Sequence, residues 1–261
     1  MKPTERFSIG DADSAIAVPV IRAGKGPPVL FLSGADPLRS SDQWIGRLSE
    51  RFDIIVPIHP GFGGAPFVEH VRTPGDLALM YLSLLDRIGE ATVIGSSFGG
   101  WIAAEMAVRS CANIRRLVLI DSVGFKFAGP TQREILDIYG ESPADVRRAL
   151  YHQAACRTPD RTGATDETLT HIVEDRVAET YYGWSPYMHT PGLHRWLHRV
   201  TSPTLVLWGE HDGVVPVAYG EKIARSILGA KFHVMPDAAH YPHIENPSSV
   251  LAQIQSFLNS H

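Results

Sequence analysis

Short apolar runs rich in β-branched residues recur along this chain, and most are followed by a stretch with helical spacing. That alternation admits few folds, because parallel strands need long crossovers and those crossovers lay helices over both faces of the sheet. Strands are expected at Pro28–Leu32, 53–58, 91–94, 116–120, 203–208 and Lys231–Met235, with 14–21 forming part of an N-terminal hairpin. Helices are expected at 41–51, at Pro74–Ile88 behind the start signal Thr73-Pro74, and at 101–109, 218–228 and 247–258. The rhythm stops between Gly124 and about Arg199, where no run reads as a strand and helices are expected at 132–139, 143–152, 166–182 and 193–200. A stretch that long and that patterned is not a loop. The expected organisation is therefore one α/β core, 1–124 and 200–261, with a helical cap inserted at 125–199.

Charge narrows the partners. Among 261 residues, 24 Lys and Arg stand against 28 Asp and Glu, a net charge of −4, and no basic face accumulates. Nucleic acid and anionic membrane surfaces are not expected partners, since both select for concentrated cations. No window approaches the ~18 apolar residues of a membrane span, and the first ten residues lack the apolar core of a signal peptide. Cys111 and Cys156 stand alone and form neither a disulfide framework nor a Cys-x-x-Cys motif. Both features fit a reducing compartment, and a cytoplasmic location is expected.

The chemistry gathers where strand 91–94 runs into Gly95-Ser-Ser-Phe-Gly99-Gly100 before helix 101–109. A Gly-x-Ser-x-Gly match arises by chance about 0.15 times in a chain of this composition, so the flanking strand and helix give it weight. Serine at such a junction sits on a tight turn that needs small neighbours, and the helix start points N–H groups at any oxyanion forming there. Ser97 has the required glycines two before and two after; Ser96 does not.

A serine hydroxyl needs a base, and the base needs a carboxylate to orient it. Of 12 histidines, His240 and His243 lie in the loop after the last strand, where an open α/β sheet gathers its functional groups. His240 is favoured because it is nearer the strand end, whereas His243 abuts the final helix. Their His-x-x-His spacing could suit a metal, but no further ligand set accompanies it, so no metal is expected. For the acid, strand 203–208 ends in Gly209-Glu-His-Asp212-Gly213, and Asp212 is favoured over Glu210 because the following glycine allows a tight turn that presents a short carboxylate.

Taken together, Phe31-Leu-Ser-Gly34, His59-Pro-Gly-Phe-Gly63, Gly95 to Gly100, Pro203 to Asp212 and Ala239-His-Tyr-Pro-His-Ile-Glu-Asn-Pro247 resemble the serine-hydrolase branch of the α/β-hydrolase fold superfamily. The resemblance implies Ser97 as nucleophile, Asp212 as acid, His240 as base, and an oxyanion hole from the backbone N–H groups of Ala35 and Phe98. It also implies a cap between the sixth and seventh strands of that fold, and no cofactor. Two departures stand out. Ser33-Gly34 replaces the usual His-Gly, and His59 opens a loop where the superfamily commonly has Asp-x-Pro-Gly-x-Gly.

The expected activity is hydrolysis of a carboxylic ester of a small, uncharged, partly apolar substrate. Cap aromatics Tyr139, Tyr151, Tyr181, Tyr182, Trp184, Tyr187 and Trp196 are candidates to line the pocket. Relatives with the same triad cleave carbon–carbon bonds of ring-fission diketones, open lactones or form peracids, and a non-catalytic ligand receptor is a further reading of the same fold.

Overall fold

The computed structural model describes residues 3–10, 15–34, 41–129, 131–157 and 165–260. Strands β1 Glu5–Ile9, β2 Ile16–Ala23, β3 Pro28–Leu32, β4 Asp53–Pro57, β5 Ala91–Ser96, β6 Ile114–Ile120, β7 Thr204–Gly209 and β8 Lys231–Met235 form one sheet. Their order is β1-β2-β4-β3-β5-β6-β7-β8. The hairpin β1–β2 is antiparallel and joins β4 antiparallel, whereas every pairing from β4 to β8 is parallel.

The period-2 alternation of each central strand feeds two cores. Leu30 and Leu32 of β3, Leu117 and Leu119 of β6, and Val206 and Trp208 of β7 face one side. They pack there against α2 Pro74–Ile88, α3 Phe98–Arg109 and α7 Val217–Ser226. Val29 and Phe31, Val118 and Ile120, and Leu205 and Leu207 face the other, against α1 Asp42–Ser49 and α9 Pro247–Asn259. Strands apolar on both faces belong in a sheet that helices cover twice. Helix α2 starts where Thr73-Pro74 indicates: the Thr73 side chain accepts from the Asp76 N–H, and the Asp76 carboxylate accepts from the Thr73 N–H.

Between β6 and β7 the chain forms α4 Pro143–Leu150, α5 Ala154–Arg157, α6 Asp166–Gly183 and a 3-10 helix Leu193–Arg199. No strand occurs among the described residues of this stretch; a single bridge ties Gly124 to His189. The expected helix at 132–139 is absent. Its backbone donors are claimed from outside: the Leu136 N–H donates to the Val214 carbonyl and the Ile138 N–H to the Tyr187 hydroxyl, which leaves turns in place of an i→i−4 ladder. Strand β5 also runs to Ser96 and α3 begins at Phe98, so only Ser97 separates them. A short helix α8 Pro242–Glu245, not signalled by periodicity, precedes α9.

Candidate active site

Ser97 takes φ 52° and ψ −116°, a conformation that costs a non-glycine residue about 1–3 kcal/mol and holds only where the surroundings enforce it. Enforcement comes from both sides. The Ser97 N–H donates to the Ile120 carbonyl at 2.9 Å, and the Ser97 carbonyl accepts from Trp101 and Val123. A side chain at Gly99 would strike the carbonyl of Leu32, and one at Gly95 the backbone of Gly99. The two glycines thus let α3 press onto β3 and β5 while the serine between them is lifted from the sheet edge.

The loops after β7 and β8 bring the partners. His240 Nε2 lies 2.8 Å from Ser97 Oγ, and His240 Nδ1 lies 2.9 Å from Asp212 Oδ2. Asp212 Oδ1 accepts from the Val214 and Val215 N–H groups at 2.8 and 3.0 Å, and a side chain at Gly213 would strike the Ala149 backbone. With Nδ1–H donated to a carboxylate, Nε2 is free to accept the serine proton. The three side chains favoured from sequence therefore form one continuous hydrogen-bonded chain.

Their rivals sit elsewhere. Glu210 is exposed beside His211, and Ser96 is buried. His243 is enclosed by Phe31, Trp44 and Tyr241, where burial pushes its ring down to about 3 and keeps it neutral. His243 joins no three-residue cluster of possible ligands among the described residues. Elsewhere, His152, His211 and Asp237 bring one ligand atom each within 4.8 Å of one another. The two imidazoles stack at 4.1 Å and 17°, so their in-plane lone pairs run side by side and do not converge on an ion.

Phe98 opens α3, where the first N–H groups have no intrahelical partner, and its backbone donor lies next to Ser97. Ala35, the other expected donor, lies outside the described residues. The sequence departures settle into a buried pair below this corner. His59 Nδ1 is 2.5 Å from the Tyr81 hydroxyl and Nε2 is 3.2 Å from the Ser33 carbonyl, which assigns the neutral ring with Nε2–H donating to Ser33 and Tyr81 O–H donating to Nδ1. Burial pushes His59 down to about 4.

Of the cap aromatics, Tyr182 reaches the site: its ring lies 5.9 Å from Phe98 and its hydroxyl donates to the Pro60 carbonyl. Tyr151 packs on Tyr241 beside His240. Tyr139 and Tyr187 pack on each other within the cap, whereas Tyr181, Trp184 and Trp196 are exposed. Sequence reasoning missed two acids. Glu179 on α6 carries a carboxyl that burial pushes up to about 7, near enough to His240 for its charge to count. Asp121, at the carboxyl end of β6, is fully buried beside Asp212; its place at a strand end next to β7 was the available signal.

A family model described as the alpha/beta hydrolase family matches residues 29–254. The 2-hydroxymuconate semialdehyde hydrolase of Pseudomonas putida is 26% identical over 90% of this chain and 88% of its own length. The pimeloyl-[acyl-carrier protein] methyl ester esterase of Neisseria meningitidis is 23% identical over 83% of this chain and 86% of its own. Among solved structures, an esterase from Exiguobacterium antarcticum superposes with TM-score 0.78 at 17% identity, covering 98% of this chain and all of that one. No helix among the described residues is long and apolar enough to cross a membrane. With an eight-stranded sheet and a family match over most of its length, the chain belongs to the alpha/beta hydrolase family and is an enzyme of the hydrolase class.

Proposed function

We propose that this enzyme hydrolyses a carboxylic ester of a small, uncharged, partly apolar substrate through an acyl-enzyme. The carrying observation is the unbroken chain from Ser97 Oγ through His240 to Asp212, set on a strained strand-to-helix turn. His240 Nε2 takes the Ser97 proton as Oγ attacks the ester carbonyl, and the tetrahedral oxyanion is held by the N–H groups of Phe98 and Ala35. Asp212 stabilises the imidazolium, which protonates the departing alkoxide. Water then attacks the acyl-enzyme by the same route in reverse and frees the acid and Ser97. Segment 125–199 acts as a cap over this site, with Tyr182 and Tyr151 walling the pocket.

The main competitor is carbon–carbon bond cleavage on the same triad, which the similarity to the Pseudomonas semialdehyde hydrolase favours. A muconate semialdehyde carries a carboxylate, however, and Glu179 places an ionisable carboxyl close to His240. That placement favours a neutral substrate. The test is a substrate panel run with a fluorophosphonate label. Short p-nitrophenyl esters should turn over faster than charged esters and ring-fission diketones, and Ser97→Ala should abolish labelling and lower turnover by at least ~10³. Hydrolysis by Ser97→Ala at the wild-type rate, or a preference for the diketones, would overturn the reading.

A further inference from the structure

The catalytic acid does not stand alone. Asp121 is the residue after β6, held at φ 44° with its N–H donated to the Leu207 carbonyl, and its side chain is shut off from solvent. Oδ1 accepts from the Gly209 N–H at 2.8 Å, while the equally buried Oδ2 receives no hydrogen from any donor. Yet Asp121, Asp212 and His240 bring one polar atom each within 4.8 Å of one another.

A hydrogen inventory settles which carboxyl holds a proton. Asp212 accepts three donors, from Val214, Val215 and His240, and is satisfied as an anion. Asp121 as an anion would have one donor for two oxygens and would turn the bare one toward another buried anion. A carboxylate can only accept, so that arrangement repels; a carboxylic acid can donate. The groups facing Asp121 are Asp212 from the turn after β7, Glu245 from α8 and the His240 ring. Burial, with the Asp212 charge behind it, pushes the Asp121 carboxyl well above the usual carboxylate range.

We infer that Asp121 is a positioning residue, protonated at neutral pH, that donates its carboxyl hydrogen to Asp212 and so aims the Asp212 carboxylate at His240. One proton is shared by two acids, and the negative charge stays on the member that touches the imidazole. Asp121 never contacts substrate. The strained backbone at Asp121 is accounted for, since φ 44° is what turns its side chain under β7 and into the pair.

The inference rests on the triad of the proposed function but not on its ester substrate, so Ser97 phosphonylation by a fluorophosphonate is the readout. Asp121→Asn keeps an acceptor for Gly209 and a donor for Asp212, with no proton to lose. It should label within about threefold of wild type, with the acidic midpoint of the rate-against-pH profile moved by less than about 0.3 units. Asp121→Leu removes the donor and should label about tenfold more slowly or worse. Infrared difference spectra at pH 7 between wild type and Asp121→Asn should show the carbonyl stretch of a protonated carboxyl in the wild type. If Asp121 were ionised, its replacement would remove a neighbouring negative charge and lower the His240 midpoint by about a unit or more, and the band would be missing; either result overturns the assignment. Wild-type labelling by the leucine variant would overturn the positioning role. Should Asp121→Leu fail to fold, Asp121→Asn and the infrared band decide. Absence of any labelling at Ser97 in the wild type would instead refute the triad, and the band would still report on the proton.

Discussion

Acid should weaken this fold through His59, and the size of the effect follows from its surroundings. The ring is buried, neutral and held between Tyr81 and Ser33, with its pKa pushed from the ordinary 6.5 down to about 4. Between those values the unfolded chain binds a proton that the native chain refuses, so stability falls as pH drops through that window and is unaffected above it. At 1.36 kcal/mol per unit, the loss approaches about 3 kcal/mol by pH 4, a sizeable part of the ~5–15 kcal/mol that holds a domain together. His243, pushed down to about 3, titrates in the same direction, so wild type alone cannot isolate His59. His59→Asn keeps an acceptor for Tyr81 and cannot titrate. Urea unfolding of both proteins at pH 7.5 and pH 4.5 should show the variant less stable at the higher pH but losing about 2.5 kcal/mol less on acidification. Parallel losses would refute the reasoning, because they would mean that His59 meets the same proton affinity folded and unfolded. The consequence reaches the site, since the His59 ring packs edge-on against Phe98, 6.0 Å away.

Three further outcomes are expected. Glu179, at about 7, is ionised above neutrality, so the KM for a carboxylate-bearing ester relative to its neutral analogue should rise with pH through 7 by about three- to tenfold; in Glu179→Gln the ratio should be flat, and an unchanged pH dependence would remove Glu179 from the pocket. Gly99→Ala would drive a methyl into the Leu32 carbonyl and should cost about 1–3 kcal/mol, read as a lower Tm together with slower fluorophosphonate labelling. Thr73→Ala, which breaks the reciprocal cap of α2, should cost about 1 kcal/mol in denaturant unfolding and leave labelling untouched.

How far the sequence carried is uneven, and the unevenness has physical causes. Ser97, Asp212 and His240 were legible because each follows a strand, and a strand end fixes where the next few residues must lie. The turn at Ser97 also demands glycines, which leave a mark in sequence. Segment 132–139 misled because its apolar residues Ile135, Leu136, Ile138 and Tyr139 join the main core, while the Leu136 and Ile138 N–H groups bond to Val214 and Tyr187; periodicity records which side chains are buried and is silent on where the backbone donors go. Asp121 and Glu179 were missed for another reason. An acid reads as a surface residue until its neighbours are known; those of Asp121 come from β7, α8 and the loop after β8, 88 or more positions away, and those of Glu179 include Tyr139 and His240. The same holds for His59: in sequence it is a departure from a motif, and only Tyr81, 22 positions on, turns it into a neutral hydrogen-bonded post under the floor of the site. What a strand end and a tight turn dictate locally can be read from the chain, and what a buried charge becomes depends on partners that only the folded sheet brings together.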